Sequence, residues 1–83
     1  MPNERTWFSI DNTHILMERS FVGELPEWHP IAKCVLRQVY PTVAPAWFAW
    51  VYTGMDAGND LVGRNYKTDE EARTAVLEKL RGQ

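Results

Sequence analysis

The clearest hydrophobic pattern lies between Ala46 and Thr53, where apolar side chains follow one another without a charged interruption. Alternate residues of an extended chain point to opposite sides of a sheet. One side carries Trp47, Ala49 and Val51, and the other carries Phe48, Trp50 and Tyr52. Because both sides are apolar, the pattern predicts a central β-strand.

A helix is predicted after Thr68. Thr68 and Glu71 have the spacing of a capping box, and acidic residues fill the first turn, where the helix dipole favours them. The helical repeat forms an apolar stripe of Ala72, Ala75, Val76 and Leu80, with Leu77 at its edge. The alanines allow close approach to a sheet, so we expect this helix to lie on the Trp47, Ala49 and Val51 side of the aromatic strand.

Upstream segments supply further strands. Thr6–Ile10 alternates in the manner of a β-strand, the turn formers 11–13 follow, and a second strand is predicted from Ile15 to Val22. A Gly- and Asp-rich reversal then separates the aromatic strand from a brief strand that begins at Leu61.

The middle of the chain is less clear. Gly23–Pro30 contains one glycine and two prolines and is predicted to be a loop, with Trp28 holding it to the core. Ile31–Tyr40 fits a strand and a helix about equally. Its β-branched residues and the short PTVAP link to the aromatic strand favour a strand, and a short helix remains the alternative.

Together these elements predict an α+β fold, with a small antiparallel sheet of 3–5 strands and a C-terminal helix packed on one face. A chain of 83 residues suffices for one domain with a small core, so we expect a single domain over residues 1–83, with residues 1–5 frayed. The single cysteine, Cys34, and the lack of a long apolar run favour a cytoplasmic location and no membrane association.

Charge and motifs exclude several classes of function. The net charge is −2, and nine basic residues are dispersed among eleven acidic ones, which disfavours nucleic-acid binding. His14 and His29 lack the spacing of a zinc site, and Asp56 and Asp60 do not match a calcium loop. Cys34 with His29 as its base is a weak candidate for nucleophilic catalysis. We therefore predict no catalytic, cofactor-binding or metal-binding residues and no enzymatic activity.

The predicted fold leaves one aromatic face without a helix. Phe48, Trp50 and Tyr52 would lie on that face, and exposed rings of this kind mark protein-binding or self-association surfaces. With Trp28 they are the candidate partner-binding residues, for a protein partner or a homodimer. In the alternative, the N-terminal hairpin and the Trp28 loop cover this face and complete an ordinary core.

The same rings could instead stack on the bases of single-stranded nucleic acid. The flanking cations in this interpretation are Lys33, Arg37, Arg64 and Lys67. The net negative charge makes it the second hypothesis.

The W-x-x-W-V strand, the Gly-bounded reversal and the Thr-x-Glu-Glu-Ala helix start, over Trp47 to Leu80, resemble a pattern found in small uncharacterised α+β proteins of phages, prophages and other mobile elements. The resemblance implies an accessory role, such as stoichiometric inhibition of a host defence system in the manner of anti-CRISPR proteins. It carries no functional residue over to this chain.

Overall fold

Five β-strands followed by one α-helix make up the chain in a computed structural model that describes residues 4–38, 41–52 and 59–82. The elements are β1 (Arg5–Ile10), β2 (Thr13–Val22), β3 (Leu25–Arg37), β4 (Ala46–Tyr52), β5 (Asn59–Tyr66) and α1 (Asp69–Arg81). Each strand pairs antiparallel with the next, so the sheet order is β1-β2-β3-β4-β5. The predicted α+β fold, a small antiparallel sheet with a C-terminal helix, is confirmed.

The predicted first hairpin is present, and its turn is short. Ile10 pairs with Thr13, so only Asp11 and Asn12 lie between the two strands. Asp11 has a φ of 52°, a left-handed conformation that Asp and Asn tolerate better than most residues.

The predicted loop at Gly23–Pro30 is wrong, because β3 begins at Leu25 and the turn consists of Gly23 and Glu24. Gly23 has a φ of 66°, which a tight hairpin turn needs and glycine adopts without a steric penalty. The prolines are accommodated because β4 pairs only with Ala32–Arg37. Earlier in β3 one edge has no β4 partner, and a missing N–H on that edge costs no interstrand hydrogen bond.

For Ile31–Tyr40, the strand interpretation is confirmed as far as Arg37, and the helical alternative is wrong there. Val39 and Tyr40 lie outside the described residues. The predicted reversal at 53–58, which contains Asp56, also lies outside them. Of the segment 1–5 that was expected to be frayed, residues 1–3 are outside the described part as well. Strand pairing begins at Arg5, and β5 is longer than the brief strand predicted from Leu61.

The β2–β3 hairpin extends beyond its neighbours. Among the described residues, β1 pairs with β2 only up to Glu18, and β4 pairs with β3 only from Ala32. Apart from the hydrogen bond that the Arg19 N–H donates to the Glu4 carbonyl, the described strand pairing of residues 19–30 is with each other. They form a two-stranded ribbon, called here the hairpin arm, in a molecule that measures 51 × 26 × 24 Å. A two-stranded hairpin is at most marginally stable in water, so the arm depends on side-chain contacts for its order.

The predicted capping box starts α1. The Thr68 hydroxyl accepts a hydrogen bond from the Glu71 N–H at 3.2 Å, and Glu71 Oε2 accepts one from the Lys67 N–H at 3.1 Å. These bonds satisfy backbone donors that the first turn of a helix leaves without partners. The helix therefore begins at the residue that the sequence indicated.

Helix α1 packs on β3, β4 and β5, against the side of β4 that carries Ala49 and Val51, as predicted. The fully buried side chains are mostly small: Leu16, Ala32, Cys34, Ala49, Val51, Ala72 and Val76. Three of these are alanines with no exposed area, which brings the helix backbone close to the sheet. The core is thin, and little space remains within it.

We expect Ala49→Leu to lower the free energy of unfolding by about 1–3 kcal/mol, because added methylene groups in a packed core force neighbouring atoms apart. Chemical denaturation measures the change. Ala44→Leu, at an exposed position of the β3–β4 link, is the matched control and should change stability by less than about 0.5 kcal/mol. Equal stability of the two variants would show that the helix does not pack closely at Ala49.

Candidate functional site

The sheet face opposite α1, called here the open face, carries the aromatic residues that the sequence singled out. Phe48 pairs with Val35 and Trp50 pairs with Lys33, at positions that alternate with the buried Ala49 and Val51. Phe48, Trp50 and Tyr52 are half-buried. The N-terminal hairpin extends the sheet edge to edge beside β3 and does not fold over this face. No helix in the described part of the chain covers it.

One end of the open face is apolar and exposed. Phe8, Phe21 and Trp28 are 58%, 60% and 42% exposed. Phe8, Met17 and Trp28, together with Thr6, line an apolar cavity of about 360 Å³. We call Phe8, Met17, Phe21 and Trp28 the arm surface.

Arg19 orders the aromatic rings of the hairpin arm. Its guanidinium carbon lies 5.4 Å from the centre of the Phe21 ring and 5.8 Å from the centre of the Trp28 ring. Glu4 holds the same guanidinium through an ion pair of 2.6 Å. Cation–π contacts of this kind fix the rings while leaving their outer surfaces exposed to solvent.

Trp28, predicted to pin a loop to the core, instead lies within β3 opposite Arg19 and remains exposed. Phe8 and Phe21 were not among the candidate residues. Because Trp7 and Phe8 are adjacent in a predicted strand, the sequence placed these two residues on opposite faces of the sheet. It did not indicate which of the two faces the helix would cover. That choice depends on strand register, which local periodicity does not specify.

The other end of the open face combines aromatic rings with cations. Lys33 Nζ and the Arg37 guanidinium carbon lie 5.2 and 5.6 Å from the centre of the Trp50 ring. The rings of Phe48 and Trp50 are stacked, with centres 5.8 Å apart and planes inclined by 19°. The cations of β3 therefore lie against the aromatic rings of β4 on this face.

Beside Phe48 lies a second cleft of about 360 Å³. Its polar lining comes from Arg37, Arg64 and Asn65, and no carboxylate is among the described residues that line it. We call Arg37, Phe48, Arg64 and Asn65 the basic cleft. The β4–β5 pairing shifts register between Trp47 and Ala49 and again between Ala49 and Trp50, and Asn65 has a left-handed φ of 68°. Two arginines that are far apart in the sequence thus line one cleft beside an irregular stretch of the sheet.

On the helix side of the sheet, Ser9, His14 and Asp69 form a chain of polar contacts. Ser9 Oγ lies 2.6 Å from His14 Nδ1, and His14 Nε2 lies 3.1 Å from Asp69 Oδ2. Asp69 also forms an ion pair with Arg73 at 3.2 Å, and the His14 ring stacks on Trp47 with centres 5.1 Å apart. In the tautomer protonated on Nε2, His14 donates to Asp69 and accepts from the Ser9 hydroxyl.

The order serine, imidazole, carboxylate is also that of a hydrolase triad. A hydrolase needs in addition donors for the developing oxyanion and a cavity for the substrate. Ser9 lines neither the arm-surface cavity nor the basic cleft, and Asp69 shares its carboxylate with Arg73. The contacts instead join the first two strands to α1, which packs on β3, β4 and β5. We interpret them as a structural tie.

We expect His14→Ala to lower the free energy of unfolding by about 1–3 kcal/mol, because it removes two polar contacts and the stacking on Trp47. Ser9→Ala removes one contact and should cost about 0.5–1.5 kcal/mol. Thermal and chemical unfolding measure both changes. Covalent labelling of Ser9 by a fluorophosphonate would contradict the structural interpretation, because such probes react with activated serines.

Cys34 and His29 do not form a catalytic pair. Cys34 is buried in the core opposite His14 and Ala49, and burial raises the pKa of its thiol from 9.0 to about 11, with Arg73 opposing the shift. His29 lies within the hairpin arm, opposite Glu18, with Ser20 Oγ 3.5 Å from its Nδ1. A thiol that stays protonated and buried is a poor nucleophile.

The raised pKa of Cys34 predicts a loss of stability at alkaline pH. A folded-state pKa of about 11 against 9.0 means that the unfolded chain releases this proton first. The stabilisation is complete below pH 9 and is lost between pH 9 and 11, up to ~2.7 kcal/mol. Denaturation of wild type and Cys34→Ala over this range isolates the effect, which should be absent from the variant. Parallel pH profiles would show that the thiol ionises normally in the folded protein.

Other kinds of site lack support in the described residues. No group of three or more metal-ligating side chains occurs among them, and none of their helices is long and apolar enough to cross a membrane. A cleft of about 690 Å³ lies beside α1, and its lining includes three glutamates, Glu70, Glu71 and Glu78. The open face, with its exposed aromatic side chains and two clefts, is therefore the candidate binding surface of the described chain.

Comparison with known proteins adds no assignment. No protein-family model matches the chain, and searches of curated proteins and of solved structures return no similar protein.

Proposed function

We propose that this protein is a non-enzymatic binding module that contacts a protein partner through the arm surface. The observation that carries the proposal is the cavity between Phe8, Met17 and Trp28, on a sheet face that no described helix covers. Exposed aromatic side chains of this density are rare on a monomer and typical of protein contact sites.

The hairpin arm supports the same proposal. Its two strands gain little from the rest of the sheet, and burial of Phe21 and Trp28 against a partner would add the apolar contact that the arm lacks. Because Arg19 and Glu4 already hold these rings in place, binding would cost little side-chain entropy. A second copy of the chain is one form that the protein partner could take.

The four candidate residues from the sequence have different places in this proposal. Trp28 belongs to the arm surface and is the most exposed of them. Phe48, Trp50 and Tyr52 are half-buried, and Lys33 lies over two of the rings, so they would form the margin of the contact and not its centre.

The resemblance to proteins of phages and mobile elements supports an accessory role for this module. A small protein that acts by occupying the surface of a partner needs a rigid contact face and no catalytic group. A stoichiometric inhibitor of a host defence system, similar in action to anti-CRISPR proteins, fits that description.

We expect the double variant Phe8→Ser and Phe21→Ser to lose partner binding and keep its fold, because both side chains are largely exposed. Immobilised wild type and variant are compared for the proteins they retain from a host lysate, and sedimentation velocity measures self-association over a range of concentrations. Proteins retained by wild type should be lost from the variant, or a concentration-dependent dimer should become a monomer.

Leu77→Ser is the matched control, because Leu77 is 39% exposed on α1, away from the open face. It should behave as wild type in both measurements. Retention of the same proteins and an unchanged sedimentation profile in the double variant would refute the proposal, provided that its unfolding transition matches that of wild type.

A further inference from the structure

We infer that the basic cleft binds single-stranded nucleic acid, with a phosphate between Arg37 and Arg64 and an unpaired base against Phe48. This site goes beyond the proposed protein contact and shares no residue with the arm surface; of its four residues, only Phe48 also lies at the margin of that contact. Its geometry combines two guanidinium groups, an aromatic ring and an amide side chain around a cleft of about 360 Å³. Recognition of single strands uses these groups, since guanidinium groups bind phosphates and aromatic rings stack on bases.

Charge complementarity identifies the occupant as an anion. Arg37 and Arg64 line the cleft, Lys33 lies with Arg37 over the Trp50 ring, and the described lining residues include no carboxylate. On the helix layer of the molecule, Glu70, Glu71 and Glu78 line the cleft beside α1. The local charge at the basic cleft is therefore positive, although the net charge of the whole chain is −2. Charges separated by more than about 10 Å are largely screened at physiological salt.

The rings identify the anion as one that carries a flat, unpaired group. Phe48 stacks on Trp50, and Lys33 and Arg37 hold the Trp50 ring from the neighbouring strand. Phe48 is therefore fixed before a ligand arrives, while part of its ring lines the cleft. An extended segment of acidic protein would satisfy the guanidinium groups but would leave the ring without a stacking partner.

The size of the cleft favours a single strand over a duplex. A volume of about 360 Å³ lies near the lower end of the range for ligand sites, which is about 300–1,000 Å³. Bases in a duplex are stacked on each other and cannot reach a ring on a sheet surface, whereas bases of a single strand can turn outward.

Fluorescence anisotropy with fluorescein-labelled oligothymidylate tests the inference. The one phosphate held between Arg37 and Arg64 predicts a slope of about −0.7 in a plot of log K against log salt concentration, or roughly a 2.6-fold loss of affinity for a fourfold rise in salt. In Arg37→Ala/Arg64→Ala both the slope and most of the affinity should disappear. Phe48→Leu should keep the slope and weaken binding by about fivefold or more, the loss expected from one stacked base.

Lys79→Ala/Arg81→Ala is the matched control, because it removes the same charge from the last turn of α1. It should bind as wild type. The inference is overturned if this control loses as much affinity as the cleft variant, if the cleft variant binds as wild type, or if a duplex of the same length binds as tightly as the single strand. Equal binding of oligoglutamate would instead assign the cleft to an acidic protein segment. Arg37 and Arg64 are exposed, so the cleft variant should fold, and its thermal unfolding is measured alongside.

Discussion

The close packing of one short helix on a five-stranded sheet is the contact on which the rest of the structure depends. Ala72 and Val76 of α1 meet Ala49 and Val51 of β4, and all four side chains are buried. Small residues at this contact let the helix lie close to the strands, but one helix covers only one face and only β3 to β5. Because the described chain has a single helix, the open face of the sheet has no helix packed on it, and the hairpin arm extends beyond the part of the sheet that the helix covers.

Polar side chains of α1 also contact the first hairpin, on which the apolar stripe of the helix does not pack. Asp69 and Arg73, one turn apart on α1, touch His14 and Trp7 on the first hairpin. The same two side chains act in opposite directions on the Cys34 thiol, where burial is the larger effect and raises its pKa. A domain of this size buries little apolar surface, so specific contacts of this kind contribute a large share of its order.

The two ends of the open face differ in chemistry because strand register distributes cations unevenly. Arg19 is paired with Glu4 and orders the rings of the arm, where the surface is otherwise apolar. At the other end Arg37 and Arg64 line a cleft whose described residues include no carboxylate. One face could thus hold a protein at the arm and a single strand at the cleft, with cations that organise aromatic rings at both ends.

The sequence by itself determined the elements whose signals are local. The capping box at Thr68, the alternation of the aromatic strand, and the turn predicted at residues 11–13 each depend on a few neighbouring residues, and the structure has all three, with the turn confined to Asp11 and Asn12. The sequence also indicated that Ala49 and Val51 would face the helix. Tertiary structure alone decided that Pro26 and Pro30 belong to a strand, because the edge of β3 beside them has no partner strand among the described residues, and no local pattern reveals this. It also decided which rings stay exposed and which arginines meet, since a shift of one residue in strand pairing moves a side chain to the other face.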